Sequence, residues 1–386
     1  MAGGPDDKVK RESANVDASY DIYENWTDLL RNFLIVALIG VTTWLFVSGL
    51  RYSIELSSEF LFEPFSPSEK CHNCEKVPSE PEVDNHHNES LNKHFLVILL
   101  VLVGGALLRG IILQLPNWKS SEGDGMGTSL EHFHTTYKSN NEGPQERYNY
   151  PDFFQAIRRV VLTFLTVGTG GSGGIEAPVV PIGECLGAGW SRIIGVINPD
   201  DLRIYQMAGM SAAVATLLDA PLTAALFAAE IIYNARILYR TLMYSMFAAI
   251  VAFAMNNHFL DFEPLFSIKP HDISYSLKEY LEVTLVAIIC SAPAGLGIAF
   301  IFKRLKILIK PFPAMIRPVI GAVGVGGIAT GLWLGLGIEP QHVLGVSEET
   351  ITQVIHNEGN PLLSVWWVLL VLVLAKAFAT GFTLMA

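Results

Sequence analysis

The stretch GTGGSGGIEAPVVPIGECLGAGW, Gly168 to Trp190, combines residue types that can do ionic chemistry within apolar sequence. Its first half is rich in glycine and carries one acid, Glu176, two positions before Pro178. Backbone N–H groups at the start of a helix have no intrahelical partner, and the helix dipole adds partial positive charge there. A helix beginning at Glu176 would bind an anion without any cationic side chain. Glycines let successive amides converge on the ion, and Pro178 suits a first helical turn because no N–H is needed there. Such a site fits transport, since a full Lys or Arg charge would hold a small anion too tightly to release it.

Glu176 then reads as a tethered competitor for that site. Ionised, its carboxylate occupies the anion position; protonated, it swings away and opens the path or carries a proton with it. The gate is therefore expected to respond to pH. The plainer alternative is an acid in a first helical turn, stabilised by the dipole alone. An acid at bilayer depth is costly, which favours the functional reading. Gly183 and Gly187 form a GxxxG pair, read as close helix packing.

The surrounding elements must hold this break inside a membrane. Of 386 residues 51% are hydrophobic and 16% charged, which excludes an ordinary soluble domain and predicts an integral, multi-pass membrane protein. Phe33 to Leu50 is an uncharged run long enough to span ~30 Å of hydrocarbon, bracketed by Arg31 and Arg51. Further apolar segments are expected at 95–113, 153–167, 176–197, 205–218, 221–237, 239–255, 280–302, 319–336 and 362–378. Several are short or interrupted by Gly and Pro, the pattern of tilted, broken helices lining a protected cavity. Lys303 to Lys310 (KRLKILIK) is a candidate cytoplasmic segment.

The net charge of −11 lies mainly in the first thirty residues and in 51–93, so it describes polar segments and argues against nucleic-acid binding. Cys71 and Cys74 form one CxxC, with His72, His86 and His87 nearby. That falls short of a four-ligand zinc signature; a local disulfide or plain thiols fit it equally, and no metal site is assigned. Cys185 and Cys290 read as packing residues. A faint repeat aligns Arg159, Thr163 and Thr166 with Lys376, Thr380 and Thr383. The second copy stops at Ala386, where its own glycine break would begin.

GGSGGIEAPVVPIG, followed by MAGMSAAVATLLDAPLTAALFAAE, resembles the CLC family of chloride channels and proton-coupled chloride exchangers. The family pattern G-(K/R)-E-G-P stands here as Gly174-Ile175-Glu176-Ala177-Pro178, and Ala220-Pro221-Leu222 with Leu226-Phe227 matches a second motif. Arg317-Pro318 and His342-Val-Leu-Gly-Val346 are similar to the start of the family's second half. The resemblance implies an all-α membrane fold of two inverted halves, the second incomplete, and a homodimer with one anion path per subunit. It implies no cofactor, with chloride as substrate, and lipid and small anions as the other partners. Glu176 would be the gate, and Gly174, Ile175, Glu176 and Ala177 would form the anion site. The segment Gly123 to Leu130 stands where the family has G-S-G-I-P, so Met126 would replace the serine that contacts the central ion, with Gly127 and its neighbours supplying backbone. The domain plan is a polar tail at 1–30 and a transmembrane anion-transport domain at 31–386, containing a polar loop at 51–94.

The departures are Ile175 in place of a basic residue, Ala177 in place of glycine, and Ile231 where many exchangers carry an internal proton-transfer glutamate. The third family motif and a late tyrosine are absent, so a fragment or truncated member is expected. Channel and exchanger both stay open, as does a non-conducting subunit that modulates a complete partner. Gly170-Gly171-Ser172-Gly173 also fits the G-x-S-G pattern of rhomboid-type intramembrane serine proteases, which need a histidine base within reach. His94, His258 and His342 lie in polar segments or at span edges, which counts against that chemistry and against an enzyme.

Overall fold

A computed structural model describes residues 26–62, 85–116, 118, 121, 126, 127, 129, 152–196, 199–233, 239–260, 276–356 and 360–385. The first helices are α1 (Trp26–Phe62), α2 (Asn85–Ile112), α3 (Phe153–Thr163), α4 (Glu176–Ile194), α5 (Pro199–Leu218) and α6 (Pro221–Tyr233). They are followed by α7 (Tyr239–Phe259), α8 (Leu277–Ile309), α9 (Arg317–Leu336), α10 (Glu348–His356) and α11 (Trp366–Met385). Five segments are long and apolar enough to cross a membrane among the described residues: Trp26–Phe62, Asn92–Ile112, Leu277–Ile309, Arg317–Leu336 and Trp366–Met385. The protein is an integral, multi-pass, all-α membrane protein.

Helix α5 is the centre of the first half. Every residue from Leu202 to Leu217 is buried, under cover from α1, α4, α6 and α7. The expected close packing occurs at Gly183 and Gly187. A Cβ on Gly183 would run into the Gly209 carbonyl, and one on Gly187 into the Tyr205 carbonyl, so α4 and α5 meet backbone to backbone. The second half forms a separate core in which α9 packs on α2 and α11 through Ile98, Leu102, Val325, Ala329, Val368 and Leu372. By contrast, α8 is exposed along residues 277–291, as expected of an apolar helix bathed in hydrocarbon.

Several boundaries differ from the sequence reading. The expected polar loop at 51–94 is helical at both ends, because α1 continues to Phe62 and α2 begins at Asn85. The Arg51–Glu55 pair at 2.7 Å, one helical turn apart, supports that extension. The span expected to end at residue 302 continues as α8 through Ile309, so most of the basic run Lys303 to Lys310 is helical. The 1–25 tail, Cys71, Cys74 and His72 lie outside the described residues, as do the side chains of His86 and His87.

The repeat has a spatial counterpart. Thr166 donates to the Leu162 carbonyl at 2.7 Å, and Thr383 donates to the Ala379 carbonyl at 3.1 Å, the same bond four residues back in both copies. Thr380 Oγ1 meets Ser172 Oγ at 3.3 Å. The two copies thus bring their threonines to the same glycine break.

Candidate anion site at the glycine break

Asp152 caps α3 by accepting the Gln155 amide at 3.0 Å, and the helix then widens into a π-helical turn over Phe164–Gly168. The chain leaves this turn through Gly170, whose φ of +101° is a region that side-chain-bearing residues avoid. Two backbone bonds pin the glycines of the break: Gly345 N–H donates to Gly170 O at 3.2 Å, and Gly173 N–H donates to Gly345 O at 3.3 Å. A loop of the second half therefore holds the break open.

Helix α4 starts at Glu176, with Ile175 as its N-cap and no side-chain hydrogen bond closing the cap. The first-turn amides consequently keep their anion-binding capacity. Ile175 is buried, Gly174 and Glu176 are exposed, and Ala177 is half-buried. The Glu176 side chain folds back so that its Oε2 lies over the Gly174 α-carbon, where any Cβ would overlap it. Gly174, Glu176 and the uncapped helix start thus share one spot, as the sequence pattern anticipates.

Glu176 forms part of the wall of a cavity of ≈ 850 Å³ between the two halves. Glu55, Glu59, Glu348 and Glu349 line the same space, with Arg51 and His342 as its basic residues. Burial raises the pKa of Glu348; Arg51 opposes that shift, while the charges of Glu176 and Glu55 add to it. The mouth over Glu176 is therefore acidic. Sequence alone does not reveal this, because the acids come from α1 and α10, far apart in the chain.

A second cavity, of ≈ 60 Å³, borders the same break and is lined by Gly173, Gly174, Pro178, Arg109, Arg159 and Ser121, among others. Val167 contributes to both cavities. Met126 is half-buried and Gly127 exposed, and neither lines either of these two cavities. Gly125 and Thr128 lie outside the described residues. Ser129 is buried beside Glu184, itself 2% exposed and accepting from Gln206 Nε2 at 3.4 Å. Sequence reading passed over Arg159, Glu184 and Lys376 as site residues, although a charge within an apolar helix is a signal that could have found them.

Ser172 is fully buried and its hydroxyl meets Thr380. His342 is engaged by Glu339 at 3.0 Å and by Thr350 at 3.0 Å. Among the described residues, the serine-protease reading thus finds no base at the serine.

A family profile described as "Voltage gated chloride channel" matches residues 94–386, which is most of the chain. The chain belongs to the voltage gated chloride channel (CLC) family. Among curated relatives, the H(+)/Cl(-) exchange transporter ClcA of Salmonella arizonae is 31% identical over 117 residues, covering 30% of this chain and 24% of the relative. ClcA of Salmonella newport matches to the same extent. The aligned region thus spans about a quarter of the curated relatives' length.

The CLC fold is shared with solved structures. A slow cyanobacterial Cl-/H+ antiporter superposes with TM-score 0.68 at 14% identity, covering 92% of this chain and 75% of the other. A CLC-type fluoride/proton antiporter gives TM-score 0.66 at 18% identity, covering 94% and 78%. At such identities the likeness concerns the fold.

Proposed function

We propose that this CLC-family chain conducts small anions, chloride first, across a membrane past the glycine break, with Glu176 as the gate. The observation that carries this reading is the Glu176 carboxylate folded over Gly174 at the uncapped start of α4, facing a large cavity. A carboxylate there competes with an incoming anion for the first-turn amides. In an assembled homodimer each subunit would hold its own path.

A second reading, proton-coupled chloride exchange, is favoured by the acidic mouth. Clefts lined by one sign of charge concentrate counter-ions, and Glu55, Glu59, Glu348 and Glu349 around Glu176 attract protons more than chloride. Chloride efflux from liposomes holding the full chain, driven by a potassium diffusion potential with external pH recorded, tests both. Chloride flux altered by Glu176→Ala supports the gate, and proton uptake coupled to it selects exchange. Absence of flux from folded protein overturns conduction by this chain alone and leaves the modulatory-subunit reading, tested by co-expression with a full-length relative.

A further inference from the structure

We propose that the last turns of α8 and the turn leading into α9 form a docking surface for anionic phospholipid headgroups. Helix α8 has 33 residues, a length of about 50 Å against a hydrocarbon core of ~30 Å. Its uncharged part, Val283 to Phe302, is long enough to fill that core. Charges bracket it, with Lys278, Glu279 and Glu282 at one end and Lys303, Arg304, Lys306 and Lys310 at the other. Helix α9, also long and apolar enough to cross, starts at Arg317. The stretch from Lys303 to Ile316 therefore lies at headgroup level between two spans.

Only one face of these turns is used inside the protein. Leu305 and Ile309 are buried, and Phe302 and Leu305 pack on Gly381 of α11, where an added Cβ would meet both. Lys303, Lys306 and Lys310, at i, i+3 and i+7, share the opposite face, and all three are exposed. Arg304 is exposed beside them, its guanidinium 5.0 Å from the centre of the Phe300 ring. The turn that follows is fixed in place. Arg317 donates to Phe312 O at 2.9 Å and to Lys310 O at 3.1 Å, and the Met315 carbonyl rests against Gly110 of α2, where a Cβ has no room.

No ion pair among the described residues holds any of the four cations of α8 and its cap. The sequence from Val283 to Ile338 contains no Asp or Glu, in a chain whose net charge is −11. The helix dipole favours a cation in the last turn, which accounts for Lys306 and Lys310 but not for Lys303 and Arg304. Four exposed cations at the end of a span complement the negative surface of an anionic leaflet, and the attraction grows with each base. Ile307, Leu308, Phe312, Met315 and Ile316 are exposed among them and supply the apolar side chains that enter the acyl layer beneath the headgroups. Exposed cations select by charge and not by headgroup shape, so phosphatidylserine and phosphatidylglycerol are equivalent ligands.

Fluorescence anisotropy of a labelled short-chain phosphatidylglycerol, added to the detergent-solubilised full chain, tests the surface without any assay of transport. Unlabelled phosphatidylglycerol and phosphatidylserine should displace it equally, phosphatidylcholine about tenfold or more weakly, and added salt should weaken binding. Joint replacement Lys303→Gln, Arg304→Gln, Lys306→Gln and Lys310→Gln should cost about a hundredfold, at roughly fivefold per base. Ile307→Ser with Phe312→Ser should cost a few-fold. Should the fourfold variant fail to fold, as read from its melting curve, Lys306→Gln with Lys310→Gln should still lose about tenfold or more. Equal affinity for phosphatidylcholine in wild type, or a preference for anionic lipid that survives these replacements, overturns the surface. Displacement by inorganic phosphate as strong as by phosphatidylglycerol, or binding of an acidic peptide without binding of anionic lipid, overturns the assignment to lipid.

Discussion

Lys376 donates to the Gly345 carbonyl at 2.7 Å, the same oxygen that receives the Gly173 amide at 3.3 Å. Its ammonium also reaches Val343 O at 3.0 Å and Ser347 Oγ at 2.7 Å. All three ammonium protons are thereby engaged, and a single half-buried lysine of α11 fixes the loop that props open the glycine break.

Replacing that clamp should loosen the break. Lys376→Met leaves acceptors at residues 343, 345 and 347 without their charged donor, a loss of about 2–5 kcal/mol. Hydrogen exchange should quicken at Gly173 and Gly345 more than in the α4–α5 pair. Uniform exchange across the chain would show that Lys376 contributes only to general stability.

Gly174→Ala should displace the gate without touching its chemistry. The added methyl meets Glu176 Oε2 where the carboxylate now rests, so the acid is pushed off the helix start. Chloride efflux at neutral pH is expected to rise towards that of Glu176→Ala, by several-fold, and to lose part of its pH response. Flux unchanged in rate and pH profile would mean the folded-back carboxylate does not obstruct the path.

Gly183→Val tests the α4–α5 contact. Its side chain would collide with the Gly209 carbonyl, and backbone yields less readily than a side chain. Overpacking of about 1–3 kcal/mol is expected, seen as a lower melting temperature in detergent. Gly127→Ala, a position with nothing near its Cβ, should melt like wild type.

The pKa of Glu348 is raised, by burial first, so its folded value lies above its unfolded one. Such a group favours the fold fully below the unfolded carboxylate value of about 4.3, and that contribution is lost as pH rises through the folded value. Glu348→Gln should therefore flatten the fall in melting temperature from about pH 4 to pH 8. Identical slopes in mutant and wild type would count against the burial of this carboxyl. The groups that set the effect, Arg51, Glu55 and Glu176, remain in place in the variant.

Much of the architecture is legible in the sequence. The first span, the Gly183–Gly187 contact and the helix start at Glu176 each depend on residues close together in the chain, where composition and spacing act directly. Boundaries were less legible. Residues 51–62 look polar, yet they continue α1, because an i,i+4 ion pair and the cavity wall make a charged helical extension favourable. Met126 is placed only by a short motif without periodicity, and it lines neither cavity.

The sequence by itself determined that this chain lives in a membrane, breaks its backbone at glycine, and places an acid at the next helix start. Those are local properties, set by hydropathy, glycine's conformational freedom and the unpaired amides of a first turn. Only the tertiary structure decided the electrostatics around the break. Carboxylates of α1 and α10 line one cavity with Glu176, Arg109 and Arg159 line the smaller cavity, and Lys376 meets a carbonyl 31 residues away. Charges act through space over distances that helix packing sets, so their grouping follows from which helix faces are brought together, a property that no short stretch of sequence contains.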